Sequence, residues 1–231
     1  MRGELPLLDK NRFPEAIECT EPSLNSWSER SNLQVPFYFM TATDIDLSDV
    51  LDKLRTFLEL EQTTRFHFHG TSWAFSQDII RDGILLTASK NKTTDFGLRC
   101  FYVGDSLQLA YRWAKMKGSG YAAVLCYRFD DVQSFPEKES LAFTESVNWR
   151  TTVYKFRKSF NELSPYVVEM IEYDLMSGPI CALYTAKLRK IEDVQPLNYN
   201  NRVAFQTAVR NPSTATQMNE KLVGVIFFPL A

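Results

Sequence analysis

The sequence predicts a mixed α+β domain, and three observations carry that prediction. Short apolar runs of strand length recur, such as Tyr121 to Phe129 (YAAVLCYRF) and Leu222 to Phe228 (LVGVIFF). Between them lie stretches whose apolar residues fall at three- and four-residue spacing, the period of a helix packed on one face. No internal repeat or low-complexity segment interrupts the pattern, which excludes a solenoid. With 231 residues, 45% of them hydrophobic and 13% aromatic, the chain can bury the core of one sizeable domain.

The formal net charge of -2 gives no global attraction to nucleic acid or to acidic lipid, so neither is indicated as a partner. No apolar run approaches the length of a membrane span, and the N-terminal residues lack the apolar core of a signal peptide. The expectation is an intracellular protein, cytoplasmic or nuclear, with no membrane partner. Its four cysteines, Cys19, Cys100, Cys126 and Cys181, form no CxxC pair and read as buried free thiols of a reducing compartment.

Residues 1–44 read as an N-terminal extension rich in Pro, Glu, Ser and Asn, and residues 45–231 as the folded domain. Within the extension, Pro36 to Met40 (PFYFM) suits a short strand. Asp44, Asp46, Ser48 and Asp49 crowd a helix start, and Leu47, Val50, Leu51, Leu54, Phe57 and Leu58 give that helix an apolar face. Phe66 to Phe68 suit a short strand with His69 at its end. Ser72 is placed to cap a helix at about 73–82, with Trp73, Ile79 and Ile80 inside, and Gly83 to end it.

A polar loop over Ala88 to Thr94 leads to Asp95-Phe96-Gly97, where Gly97 permits a tight turn into a strand holding Tyr102. Asp105 and Gln108 have capping-box spacing for the next helix, with Leu109, Ala110, Trp113 and Met116 at core positions. Asn148 to Asn161 carries Trp149, Val153, Phe156 and Phe160 at helical spacing. Ser177-Gly178-Pro179 reads as a turn, Ile180 to Tyr184 as a strand, and Val203 to Thr207 as a short strand.

His67 and His69 are the only histidines. On a strand they share a face, yet a zinc site needs a third and usually a fourth ligand, and no cysteine is near in sequence, so no metal is expected. His69 has two readings. A histidine on a strand often bonds a backbone carbonyl and nothing more. Gly70, however, lets a ligand approach the backbone, and Thr71 and Ser72 add hydroxyls at a helix start. Tyr102 likewise is either a core strand residue or a wall of a site. Asp95-Phe96-Gly97 matches the kinase metal-binding triplet, but no HRD loop or glycine-rich nucleotide loop accompanies it.

His69-Gly70-Thr71-Ser72, Ile79 to Ile84, Asp95-Phe96-Gly97, Phe101-Tyr102 and Ala110 to Ala114, in that order, resemble the ADP-ribosyltransferase superfamily in its poly(ADP-ribose)-polymerase-like branch. Tyr173-Asp174 and Gly178-Pro179 extend the likeness, whose strong part covers residues 66–115. The resemblance implies a split pair of antiparallel β-sheets with flanking helices around an NAD cleft. It implies that NAD is the substrate, with His69 on ribose hydroxyls and the Gly70 backbone on the nicotinamide carboxamide. Thr71 lies beside them, Tyr102 flanks the nicotinamide ring, and Tyr111 or Trp113 supplies a further aromatic wall. The activity implied is mono-ADP-ribosyl transfer to a protein acceptor, or NAD hydrolysis, with release of nicotinamide.

The chain departs from the family at its third site position. Members usually place a Glu, sometimes a Gln, on a late strand, and here the match is Arg202-Val203-Ala204-Phe205-Gln206. Alternation puts Arg202, Ala204 and Gln206 on one face. Arg202 suits a pyrophosphate, and Gln206 is the candidate third catalytic residue. Glu169 and Glu172 are carboxylates of the same region. Without a late carboxylate, a module of the same fold that binds NAD, ADP-ribose or a protein without turnover is the alternative.

Overall fold

The computed structural model describes residues 24–25, 37–39, 47–57, 61, 64–88, 94–117, 121–158, 166, 169–170 and 172–230. In chain order the elements are β1 (Leu24–Asn25), β2 (Phe37–Phe39), α1 (Leu47–Phe57), β3 (Phe66–Ser72), α2 (Trp73–Asp82), β4 (Phe101–Gly104) and α3 (Leu107–Lys117). There follow β5 (Tyr121–Arg128), β6 (Ser140–Ala142), α4 (Val147–Lys158), β7 (Leu175–Pro179), β8 (Asn198–Tyr199), β9 (Arg202–Val203), β10 (Phe205–Val209), α5 (Pro212–Asn219) and β11 (Leu222–Pro229). The class is α+β, with mostly antiparallel strands. Among the described residues no helix is long and apolar enough to cross a membrane. The chain divides into two compact units, Met1–Gly83 with Ser106–Asp130 and Asn219–Ala231, and Ile84–Asp105 with Asp131–Met218.

The first unit orders its strands β1-β2-β11-β5-β3, antiparallel except where β2 and β11 run parallel. β5 is covered on both faces, which is why its sequence is a continuous apolar run rather than an alternating one. Ala122, Val124 and Cys126 meet α1 and α3 through Val50, Leu54, Leu107, Ala110 and Ala114, all buried. Ala123, Leu125 and Tyr127 are buried on the opposite face. There Trp73 of α2 packs on Phe227 with ring centroids 4.3 Å apart. The helical spacing of Leu47, Val50, Leu51 and Leu54 thus finds the sheet it requires. Phe57 and Leu58 carry no described side chain, and the expected extension is described only at β1 and β2.

Two expectations about α3 change. The cap is Ser106, whose hydroxyl accepts the Leu109 N–H at 3.3 Å, while Asp105 turns instead to accept the Phe205 N–H. Trp113 and Met116 are not core residues, being 49% and 66% exposed. The reason is the close approach of α3 to β3. A Cβ at Gly70 would stand 2.7 Å from the Ala110 carbonyl carbon, so only a small-residue stripe, Ala110 and Ala114, fits the interface. Large side chains at 113 and 116 are left on the outer side.

The second unit orders its strands β4-β10-β7-β6, with β6 and β7 parallel and the other pairs antiparallel. α4 lays Trp149, Val153 and Phe156 on this sheet against Phe96, Met176 and Ala208. Ser177-Gly178-Pro179 is not a turn but the end of β7, paired with Thr207, Gln206 and Phe205. Gly178 is there because a Cβ would meet Phe143 at 3.0 Å and Phe96 at 3.2 Å. The Trp149 indole N–H donates to the Pro179 carbonyl at 3.0 Å and secures that end. Ile180 to Tyr184 forms no strand, only a single bridge between Cys181 and Pro196. Cys100, Cys126 and Cys181 are buried free thiols, and Cys19 lies outside the described residues.

Because the Gly70 Cα faces helix backbone and not a movable side chain, Gly70→Ala is expected to destabilise by about 3 kcal/mol or prevent folding. Chemical denaturation of the two proteins measures it. A loss below about 1 kcal/mol would mean the helix can step back.

Candidate functional site

In the first unit, β3 runs past His69 to Ser72, so His69 lies mid-strand, paired with Leu125, rather than at a strand end. The ladder to β5 continues because Val124, Ala123 and Ala122 pair Gly70, Thr71 and Ser72. Phe66, Phe68 and Gly70 face α3. His67, His69 and Thr71 therefore face the other way. Tyr111 belongs to the α3 face, where its ring meets Phe228 at 4.6 Å and carries Lys115 Nζ at 5.5 Å. The sheet thus separates Tyr111 from the side chain of His69, and Tyr111 is not a wall of a site built on His69. Trp113 is exposed, with Lys117 Nζ 6.0 Å over its ring.

Other polar groups of this motif serve the fold. Thr71 is buried, and the Ser72 hydroxyl caps α2 by accepting the Phe75 N–H at 3.3 Å. Gly83 closes α2 with φ +79° and donates its N–H to the Ile79 carbonyl. The freedom that Gly70 lends is used by α3, as described above. His67 is stacked on Phe129 at 3.8 Å, and burial lowers its imidazole from 6.5 to about 4, partly offset by a hydrogen bond with the Phe129 backbone. Among the described residues no three His, Cys, Asp or Glu side chains gather as metal ligands.

In the second unit, Tyr102 projects from β4 onto the Asp95–Gly97 turn. Its hydroxyl accepts the Phe96 N–H at 3.0 Å and donates to the Gly97 carbonyl at 3.2 Å. Gly97 adopts φ +108°, as a tight turn there requires. Burial pushes the Tyr102 phenol well above its ordinary value, so it stays protonated. Burial likewise lifts the neighbouring Cys100 thiol to about 11, which makes it no nucleophile.

Asp95 is the hub of this unit, and it is 3% exposed. Its Oδ1 accepts Arg157 Nε of α4 at 2.6 Å, and its Oδ2 accepts the Cys181 N–H at 2.9 Å. The same Oδ2 accepts Gln206 Nε2 of β10 at 2.5 Å. Burial raises the Asp95 carboxyl above its ordinary value, while Arg157, the Cys181 amide and Gln206 pull it back toward the charged form. Arg157 also donates to the Leu183 carbonyl. Arg210 joins the turn from β10's end through the Phe96 carbonyl at 2.7 Å.

The late strand departs from its expected alternation. Arg202–Val203 forms a hairpin with β8, and the ladder breaks at buried Ala204 before β10 begins at Phe205. Ala204 bridges, donating to Leu197 and accepting from Ile180. Arg202 and Gln206 are therefore not one face of one strand. Arg202 is exposed and donates to the Asp105 carbonyl at 3.3 Å. Gln206 is half-buried on the face shared with Tyr102, since Gln206 pairs Gly104 and Ala208 pairs Tyr102. Glu169 and Glu172 are exposed in a turn closed by the Glu172 N–H on the Glu169 carbonyl.

In the sequence Asp95 reads only as part of a turn motif, and Arg157 carries no signal of its own. An acidic residue directly before a tight turn, and an arginine in a basic last helical turn beside Lys155 and Lys158, are each common. Nothing in the residues alone pairs them across 62 positions. Comparison with protein-family models and with curated proteins finds no match.

Two measurements check this geometry. His67 binds its proton less tightly in the folded state, so its contribution to stability is fully present above pH 6.5 and lost as pH falls from there toward 4. Wild type is expected to lose up to about 1.4 kcal/mol per pH unit more than His67→Gln across that window. Parallel denaturation curves at every pH would show that His67 is not held neutral. Asp95→Ala is expected to cost about 3–5 kcal/mol by leaving the Arg157 guanidinium buried and unpaired. A denaturation midpoint equal to wild type would remove Asp95 as the hub.

Proposed function

We propose that the chain binds NAD and cleaves its bond between nicotinamide and ribose, as a mono-ADP-ribosyltransferase or an NAD glycohydrolase with an ADP-ribosyltransferase-like fold. What supports this reading is one convergence. Asp95, Tyr102 and Gln206, drawn from three separate motifs, meet in the second unit, with Gln206 bonded to Asp95 from 111 residues away. Tyr102 and Gln206 are the strand tyrosine and the late polar residue that the resemblance sets at an NAD site, and both reach the Asp95–Gly97 turn.

The chemistry asked of these groups is modest. The C1′–N bond breaks, and its electron pair leaves with neutral nicotinamide. The ribose passes through an oxocarbenium-like state. In hydrolysis a water oxygen bonds C1′ and sheds its proton to solvent; in transfer, an acceptor side chain takes that place. Such a reaction gains from a pinned ribose and a held leaving group more than from a strong base. Gln206 offers its amide to a ribose hydroxyl, and Tyr102 offers a ring edge to nicotinamide. The resemblance also implies a ribose contact for His69.

One observation favours a second reading, binding without turnover. The late position holds an amide already bonded to Asp95, and Arg202 faces a backbone carbonyl and solvent. No carboxylate there activates an acceptor.

Purified protein incubated with NAD is expected to release nicotinamide, and Gln206→Ala and His69→Ala are each expected to slow release about 100-fold while remaining folded. Release that needs cell lysate indicates a transferase whose acceptor is in the extract. Absence of release with NAD affinity retained by titration establishes the binding module instead, and absence of both rejects NAD as the ligand.

A further inference from the structure

Gln206 stands in a row of directly paired residues, Gly104 on β4, Gln206 on β10 and Gly178 on β7. Paired residues project to the same face, so the glutamine is flanked by two positions without side chains. The two glycines differ in their reasons. Gly178 is filled against, as Phe143 and Phe96 show. Gly104 has no positive φ. A Cβ there would meet the Phe205 carbonyl oxygen at 3.4 Å and, beyond its chain neighbours, no other described heavy atom within 4 Å. Among the described residues, packing therefore asks for no glycine at 104. Among the described residues, that side of Gln206 is left unfilled at the Gly104 Cβ position.

Asp95 decides which end of the amide can use that space. The Arg157 guanidinium and the Cys181 N–H are obligate donors, so the carboxylate they share is held as an acceptor. Only the nitrogen of the Gln206 amide can meet it, at 2.5 Å. The carbonyl arm of the planar amide is then turned away from Asp95, and a carbonyl oxygen accepts but does not donate.

We infer that Asp95 is a positioning residue that locks Gln206 with its carbonyl oxygen toward the space over Gly104, forming a subsite for a ligand hydroxyl, the chemistry of a ribose diol. The ligand half of this inference rests on the NAD reading above; the orientation half rests on the hydrogen bonds alone. With an acceptor fixed outward, the subsite favours a hydroxyl donor over a carboxylate or phosphate oxygen.

The test is titration with NAD together with thermal denaturation, on wild type and four variants. Gly104→Ala is expected to melt at or above the wild-type temperature, because alanine suits a strand better than glycine, yet to weaken NAD about tenfold by filling the space. Unchanged affinity overturns the subsite. Asp95→Asn leaves one side-chain oxygen for the donors of Arg157, Cys181 and Gln206, so Gln206 loses its fixed partner. Gln206→Glu sets two carboxylates face to face. Each is expected to weaken NAD about tenfold and to lower the melting temperature. Unchanged affinity in both folded variants overturns the positioning role. If wild type binds no NAD, the functional reading fails by itself. Melting temperatures then judge the orientation: Gln206→Glu melting below Gln206→Ala upholds the amide nitrogen as the group that faces Asp95, and Gln206→Glu as stable as wild type overturns it.

Discussion

The buried carboxylate of Asp95 is the constraint on which the second unit depends. A carboxylate taken from water costs several kcal/mol unless charge and hydrogen bonds compensate it. Here compensation comes from α4, from the Cys181 bridge and from β10, at sequence separations of 62, 86 and 111 residues. None of those segments can shift without stranding the charge. The rest of the turn is held by neutral groups: Tyr102 bridges Phe96 and Gly97, and Arg210 takes the Phe96 carbonyl. The turn, the tyrosine and the glutamine are consequently one mechanical object.

The first unit is held by a different kind of constraint, shape instead of charge. Gly70, Ala110 and Ala114 let helix and strand backbones approach until their main chains touch. Dispersion over such a close interface is gained at every atom and lost quickly with a small gap. That closeness fixes which face of β3 meets α3, and so fixes that His67, His69 and Thr71 look the opposite way. The position of His69 is thus a consequence of two alanines on another element.

The apolar periods were legible in the sequence. α1, α2, α4, β5 and β11 follow directly from spacing, and Ser72 and Gly83 announce the ends of α2 by their capping chemistry. What the sequence hid was decided by partners. Ser177-Gly178-Pro179 has turn composition, but Phe96, Phe143 and Trp149 need a bare backbone there, so it is strand. Trp113 and Met116 have core spacing, but the interface admits only small residues. Asp105 has the spacing of a cap, yet Phe205 offers it an unpaired N–H and Ser106 caps in its place. At the candidate site, Tyr102 and Gln206 were legible as types and positions. The Asp95–Arg157 pair was not, because a buried ion pair leaves no periodic trace.

The same pair changes how the missing late carboxylate reads. A glutamate at 206 would bring a second negative charge to the 2.5 Å contact that the Gln206 amide now makes with Asp95. Two carboxylates at that distance in a half-buried setting cannot both stay ionised. One would take a proton, or the side chain would swing out and lose its place. Glutamine keeps the outward oxygen while giving Asp95 the donor it needs. For a reaction that develops positive charge on the ribose, a fixed neutral acceptor on a hydroxyl still orients the sugar. What it gives up is the full negative charge that would draw a proton from an acceptor. Departure of nicotinamide with water as acceptor therefore fits this cluster better than transfer to a poorly nucleophilic side chain, and within the functional reading above it is hydrolysis that the Asp95–Gln206 pairing favours.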